Sequence, residues 1–550
     1  MRYVAIALVL SATSAWAQPD AAPAGNGSAA ASTAGSGAGS AAPATAPSAP
    51  AVPATPSTGG AGTAGTGAGA DGGTTKPVNP PAVIEHSNQD QRDYARQLDN
   101  ERTEDLARRH ADPDRGFRFG SYGRVIAGTD LRGGAPEKIA IVAHAPRIVE
   151  PSYLELETSY GFVTEHGVKI RPLVTLAFDG TLFHENGQFD AHPALRNMFV
   201  EAQMSPEWSA WVGSRMYRGD DIYLFDYWPL DDINTVGGGA LYRKRLADHG
   251  PDALEIAVHG GENRLDVPFQ YQTIDVANPV QGATTVVQLN RQRLIGSASA
   301  AYITSVTPDI GLKAKVHGEI HELGSGQYKR DDGTFQNLPA DSGMLIGAEL
   351  SAFDLDNGKN GFRRHLNLFM RYASGLAAFD ELAPPTTFGA DLKTNKANEL
   401  TFGLSGNWDA KYGNMMVGAL SRRFTDATGN TEDPNNGWEY AVDARPLGRF
   451  ARDWFAGADI SYQARFPQGL NAITLRAEDP AVFEIAPMIV YSPMGPSAYD
   501  RPQLRLVYRA AHLNQAALDD YVPDDPRHRQ AWQYFLGVQA EWWFNSSTYR

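Results

Sequence analysis

The chain has 550 residues, a formal net charge of −15 and no cysteine. The lack of cysteine excludes disulfides, thiolate metal sites and cysteine nucleophiles, and the acidic balance argues against a nucleic-acid-binding surface. Beyond the N-terminus, no stretch approaches the roughly 18 consecutive apolar residues of a membrane-spanning helix. This does not exclude a membrane protein, because β-barrel strands hide their apolar residues by alternation.

The N-terminus has the features of a cleaved signal peptide. Arg2 supplies a positive charge, residues 4–10 are apolar, and residues 15–17 read Ala-Trp-Ala, the small-x-small pattern of a cleavage site. The apolar run is too short to cross a bilayer. We therefore predict that residues 1–17 direct export and are removed.

Residues 18–84 form a low-complexity linker rich in Ala, Gly, Pro, Ser and Thr. Such a segment cannot bury enough apolar surface to offset the entropy of ordering it. We predict a disordered periplasmic arm, which either contacts the cell wall or another periplasmic partner or serves as a spacer without one.

Residues 85–112 are highly charged, lack Gly and Pro, and are followed by Pro113. This composition predicts a short helix on the periplasmic side. Tyr94, Leu98 and Leu106 make only a thin apolar stripe, so a solvated helix is favoured and a coiled coil is the alternative.

From residue 117 to residue 550 the sequence alternates with a period of two. In residues 312–321 the even positions are apolar apart from a glycine, while the odd positions are Lys, His or Glu; residues 365–372, 454–465 and 503–510 show related patterns. A soluble sandwich also alternates. Many such segments, with aromatics at strand ends and polar connections, instead favour a barrel wall with lipid outside and water inside.

Length sets the size of this barrel. At about 10 residues to cross the apolar band, or about 22–27 with connections, residues 117–550 provide about 16–20 strands. Closure is required because an open sheet edge cannot exist in hydrocarbon. We therefore predict an all-β fold: a transmembrane antiparallel β-barrel of about 18 strands, located in the outer membrane.

Three segments resemble the maltoporin family. Residues 211–217 read W-V-G-S-R-M-Y and precede an acidic pair and F-D-Y-W at 225–228; residues 501–505 read R-P-Q-L-R; residues 537–544 read G-V-Q-A-E-W-W-F. The first strands also fit, at residues 122–124 and 153–156. The resemblance implies a homotrimer of 18-stranded barrels that conduct maltodextrins along a spiral of aromatic rings flanked by polar tracks.

By this resemblance, the aromatic slide would be formed by Tyr122, Tyr153, Tyr499 and Trp543. Strand phase agrees, because each of the four shares the polar face of its predicted strand. The alternative is that they are girdle or packing aromatics. Two further slide positions of the family find no aromatic in register; the nearest residues are Phe189 and Phe362.

The resemblance also implies a polar track and constriction. Its candidate residues are Arg124, Arg147, Glu155, Arg196, Asp221, Tyr223, Asp226 and Trp228. The family's arginine between the equivalents of Tyr217 and Asp221 is replaced by Gly219, next to Arg218. The alternative interpretation is a set of loop salt bridges that contribute little energy.

These patterns predict a channel for facilitated diffusion of maltose, maltodextrins or related oligosaccharides, embedded in outer-membrane lipid. No G-x-S-x-G or H-E-x-x-H motif occurs, so we expect neither an enzyme nor a cofactor or metal. A general diffusion porin and a barrel-anchored envelope-binding protein remain the alternatives.

Overall fold

The computed structural model describes residues 115–135, 137–179, 182–183, 192–246, 251–264, 271–280, 282–289, 291–355, 364–379, 385–430 and 432–546. The predicted signal peptide, linker and charged helix lie outside the described residues, as do Phe189 and Phe362.

Within these residues, one 18-stranded sheet forms the wall and two hairpins lie outside it. The wall strands are β1 (Gly116–Thr129), β2 (Tyr153–Val163), β3 (Lys169–Asp179), β4 (His192–Gln203), β5 (Trp208–Arg218), β6 (Asp232–Arg245), β7 (Ala253–Asn263), β10 (Arg293–Thr307), β11 (Ile310–Leu323), β14 (Asp341–Asp354), β15 (Arg364–Gly375), β16 (Asn398–Ala410), β17 (Gly413–Thr425), β18 (Gly437–Ala451), β19 (Trp454–Pro467), β20 (Ala481–Tyr491), β21 (Gln503–Leu513) and β22 (Trp532–Phe544). The hairpins are β8 (Tyr271–Asn278) with β9 (Gly282–Leu289), and β12 (Gly326–Lys329) with β13 (Phe335–Leu338).

The wall closes on itself. Each wall strand pairs antiparallel with the next wall strand along the chain, and β22 pairs with β1 so that Trp543 lies opposite Tyr122. Closure leaves no unpaired edge for lipid to contact. The predicted antiparallel barrel of about 18 strands is confirmed.

Side-chain burial follows the predicted alternation. On β11, Val316 and Ile320 are 59% and 61% exposed, whereas His317 and Glu319 between them are 4% and 8% exposed. Because successive side chains of a strand point to opposite faces, the apolar set faces outward and the polar set faces the lumen. The predicted strand phases in residues 365–372, 454–465 and 503–510 are confirmed in the same way.

The connections differ at the two ends of the barrel. Short turns such as residues 308–309 join strands at one end, and long loops such as residues 130–152 join them at the other. Outer-membrane barrels place short turns in the periplasm and long loops outside. The long loops also carry one α-helix, α1 (Gln515–Leu518), and both hairpins. No helix in the described part of the chain is long and apolar enough to cross a membrane.

Among the described connections, three contribute apolar side chains to one buried cluster inside the barrel. We name them the first lumenal loop (residues 130–152), the second lumenal loop (residues 219–231) and the lumenal turn (residues 492–502). The two loops enter from the long-loop end and the turn enters from the opposite end. Apolar side chains of all three join one buried cluster inside the barrel, and this cluster positions the candidate site.

Candidate functional site in the barrel lumen

The second lumenal loop is held against one side of the wall by apolar packing. Its tip is a 3-10 turn at Tyr223–Phe225, ended by Asp226 in a left-handed conformation with φ of 53°. Ile222 packs where two wall glycines leave room: a Cβ at Gly403 or Gly418 would lie 2.8 Å or 3.1 Å from it. The loop therefore fills the lumen beside β16 and β17.

Gly219, where the maltoporin resemblance would place an arginine, has little room for a side chain. A Cβ built at Gly219 would collide with the carboxylate of Asp231. The neighbouring Arg218 turns instead to Asp232, with Nε 2.8 Å from Oδ1, and its guanidinium lies 3.7 Å from the ring centre of Trp228. The direction of Arg218, which sequence alone left open, is thus into the lumen.

A buried ionic network joins the second lumenal loop, the lumenal turn and the last strand. Glu541 accepts a hydrogen bond of 2.7 Å from the Tyr223 hydroxyl. The same carboxylate forms ion pairs of 2.9 Å with Arg501 and 2.7 Å with Arg505. A buried carboxylate needs such partners to offset its lost hydration. Sequence reasoning did not select Arg501, Arg505 or Glu541, although the R-P-Q-L-R and G-V-Q-A-E-W-W-F segments contained all three.

The four predicted slide aromatics lie in one contiguous array. Tyr122 is central, with ring centres 5.9 Å from Tyr153 and 6.5 Å from Trp543. Tyr223 continues the array, 6.1 Å from Trp543 and 5.7 Å from Tyr499. The strand phase assigned to Tyr499 was wrong, because this residue lies in the lumenal turn and β21 starts only at Gln503. Its ring nevertheless packs within the lumenal cluster.

The predicted polar residues lie beside this array and pair with one another. Arg147 donates to the Tyr122 hydroxyl at 3.0 Å and forms ion pairs with Glu150 at 2.8 Å and Asp226 at 3.7 Å. Arg124 also pairs with Glu150, at 3.3 Å. On the neighbouring strands, the guanidinium of Arg196 contacts both the Glu155 carboxylate and the Tyr153 hydroxyl. These contacts hold the polar groups in fixed positions.

The lumenal environment shifts the pKa values of two loop carboxyls in opposite directions. Burial raises the pKa of Asp221 to about 7, aided by the negative charges of Asp220 and Asp226. Burial also acts to raise the pKa of Asp226, but the positive charges of Arg147 and Arg124 outweigh it and lower that pKa. Asp226 is therefore ionised at neutral pH, whereas Asp221 is only partly ionised.

Solvent accessibility divides the candidate residues into three groups. Tyr122, Tyr223 and Trp228 are only 2%, 3% and 4% exposed, and Arg147 and Glu155 are also buried. Tyr153 and Arg196 border an open cavity of about 840 Å³ in the lumen, within the range of about 300–1,000 Å³ that is usual for ligand pockets. The remaining candidates are partly buried: Arg124, Asp221, Asp226, Tyr499 and Trp543.

A second, smaller cavity of about 120 Å³ lies where the two lumenal loops meet β11 and β15. Trp228 and Asp226 border it together with His144, His321 and Arg371. Sequence reasoning missed these last three residues. The polar phase of β11 and β15 contained a signal for the two strand residues, but nothing local marked His144. Among the described residues, no group of three or more His, Cys, Asp or Glu side chains is arranged to hold a metal ion.

A closed membrane-spanning barrel with polar side chains and folded loops in its lumen is the architecture of an outer-membrane porin, a channel protein. Residues 117–544 match the family model of the LamB porin. The chain therefore belongs to the LamB porin family. No curated protein sequence matches it at a significant level.

Several solved structures of outer-membrane proteins are similar to this chain at low identity. The outer membrane channel DcaP of Acinetobacter baumannii is 10% identical, with a TM-score of 0.37 over 78% of this chain and 98% of that chain. OccAB2 of the same organism is 10% identical, with a TM-score of 0.38 and the same coverage. OmpT of Vibrio cholerae, described in a trimer form, is 10% identical, with a TM-score of 0.34 over 78% and 100% of the two chains.

Proposed function

We propose that this porin mediates facilitated diffusion of maltose, maltodextrins or related oligosaccharides. The observation that carries the proposal is the array of lumenal aromatics, from Tyr153 through Tyr122 to Trp543, beside fixed charged groups. A sugar ring has apolar C–H faces, which suit aromatic rings, and a hydroxyl rim, which suits charged hydrogen-bonding groups.

The candidate residues contribute to this function in two ways. Tyr153 and Arg196 border the open cavity and would contact a sugar directly. Tyr122 and Glu155 are buried beneath them and would hold them in position, because Glu155 accepts a hydrogen bond of 2.8 Å from the Tyr153 hydroxyl. A conducting channel must bind its solute weakly so that the solute also leaves, and contact through Tyr153 and Arg196 at the border of an open cavity is consistent with this requirement.

We further propose that the protein is a homotrimer, as the resemblance to maltoporins implies. The wall presents many outward apolar side chains, among them Val316, Ile346 and Leu350 at about 60% exposure. Such a surface serves either lipid or a neighbouring copy, and closed rings are a common arrangement of homo-oligomers. Chemical cross-linking in native membranes tests this, and cross-linking that stops at the monomer contradicts it. The same trimers should form without residues 18–112, the proposed periplasmic arm and helix.

Planar-bilayer electrophysiology tests the transport proposal. The reconstituted protein should form ion-conducting channels whose current is blocked by maltotriose in a saturable, concentration-dependent manner. Channels without any sugar block would identify a general diffusion porin instead. A barrel without conductance would identify an envelope-binding protein.

A further inference from the structure

The open cavity lies on one side of the lumen, and the second lumenal loop occupies the other. The loop's apolar side chains pack against Phe369 of β15, Met416 and Leu420 of β17, and Ala441 of β18. The cavity of about 840 Å³ lies across the lumen from these strands and is lined by residues of β2 to β7 and of the segment just after β7. Any solute that enters from the long-loop end meets the side chains of these strands.

This side of the wall is rich in arginine. Among the described residues that line the cavity, four are arginines and two are carboxylates: Arg196, Arg215, Arg218, Arg264, Asp179 and Glu262. Each arginine has an acidic partner, but three of these partners do not line the cavity. Glu155, the partner of Arg196, is 1% exposed. Asp232, the partner of Arg218, borders the smaller cavity instead. Glu201, which pairs with Arg215 at 3.5 Å, borders neither of the two cavities. Guanidinium groups therefore outnumber carboxylates by four to two among the described residues that line the cavity.

The guanidinium groups are held in place before a solute arrives. The guanidinium of Arg215 lies 4.7 Å from the ring centre of Phe199 and 5.2 Å from that of Trp211. Arg218 stacks on Trp228 at 3.7 Å. Stacking on an aromatic face already restricts the side-chain torsions of an arginine, which would otherwise lose this conformational freedom only when a ligand binds. A fixed set of guanidinium groups favours ligands that carry anionic groups, because binding then costs little further side-chain conformational entropy.

We propose that the preferred solutes of this channel are acidic oligosaccharides whose sugar rings carry carboxylate groups. The inference rests on the proposed function as a sugar channel and specifies its substrate class. Arginine matches the planar geometry of a carboxylate through paired hydrogen bonds. The ring of Tyr153, in the same cavity, offers an apolar face to the sugar. An uncharged maltodextrin would use the ring but not the positive charge.

The test compares two sugars of equal length on the reconstituted full-length channel: trigalacturonate, which is acidic, and maltotriose, which is neutral. At low ionic strength, trigalacturonate should block the current at about a tenfold lower concentration, a difference equivalent to about 1.4 kcal/mol. Raising the salt concentration should reduce this preference, because charge interactions are screened.

Substitution of the arginines locates the effect. Arg264→Gln combined with Arg218→Gln should abolish most of the preference for trigalacturonate, measured as the ratio of the two blocking concentrations. Arg452→Gln is the matched control for each single replacement, since it removes one positive charge from a turn where the side chain is 90% exposed. If the double variant does not assemble, Arg264→Gln alone serves, because its side chain is 49% exposed and is not needed for packing.

Each remaining outcome overturns the inference in a distinguishable way. Equal block by the two sugars refutes the acidic preference and leaves the sugar channel in place. The absence of block by either sugar refutes both proposals. A preference for trigalacturonate that survives in the double variant refutes the assignment of this preference to Arg218 and Arg264.

Discussion

Replacement of Tyr153 by alanine should weaken sugar block of the channel about 2- to 12-fold. The ring borders the open cavity, and its loss removes one aromatic contact worth about 0.5–1.5 kcal/mol, where about 1.4 kcal/mol corresponds to a factor of ten. Its neighbours should stay in place, because Arg196 keeps its ion pair with Glu155. Ion conductance should hold or rise, since a bulky lumenal group is gone.

Two matched variants separate stacking from other effects. Tyr153→Phe keeps the ring and removes only the hydroxyl that donates to Glu155 at 2.8 Å, so sugar block should stay within about twofold of the wild type. Leu154→Ala alters the next side chain, which points to the opposite face of β2, and should leave the block unchanged. The assay is titration of single-channel current with maltotriose and with trigalacturonate.

The reasoning is refuted if Tyr153→Phe weakens the block as much as Tyr153→Ala does. The hydroxyl, and not the aromatic face, would then bind the sugar. An effect of Leu154→Ala equal to that of Tyr153→Ala would instead show that the strand phase of β2 is inverted.

Three further predictions concern the lumenal network. Trp543→Ala should weaken sugar block by a similar factor of about 2–12, whereas Trp542→Ala should affect assembly only; the reverse result in bilayer titrations contradicts the assignment. Asp221, with a pKa of about 7, is mostly neutral at pH 6 and mostly ionised at pH 8, so cation selectivity in reversal-potential measurements should rise over this range and should rise less in Asp221→Asn. Glu541→Gln should destabilise the protein by about 3–5 kcal/mol, because it leaves buried arginines with less compensation; an unchanged melting temperature and conductance would contradict the proposed anchoring of the second lumenal loop.

The barrel could be predicted from the sequence because its cause is local. Lipid outside and water inside impose a period of two on every strand, so residues such as His317 and Val316 reveal their faces without knowledge of any partner. The same reasoning indicated that closure would bring the two ends of the barrel together. In the structure Tyr153 and Trp543 flank Tyr122 on three adjacent strands.

The loops could not be predicted, because their positions depend on contacts between residues far apart in the chain. Nothing near Ile222 indicates that it packs against Gly403 and Gly418, and nothing near Tyr499 indicates that its turn enters the lumen. The strand phase assigned to Tyr499 failed for this reason.

The sequence by itself determined the class of fold, the lumenal face of each strand tested and the family, because side-chain alternation and short motifs are properties of neighbouring residues. The tertiary structure alone decided which candidate residues are open to a solute. Tyr122 and Tyr153 have the same strand phase, yet Tyr122 is 2% exposed while Tyr153 borders the cavity. The physical reason is that apolar packing across the barrel decides which side of the lumen the lumenal loops fill. The cavity is therefore left on the other side, along the arginine-rich strands.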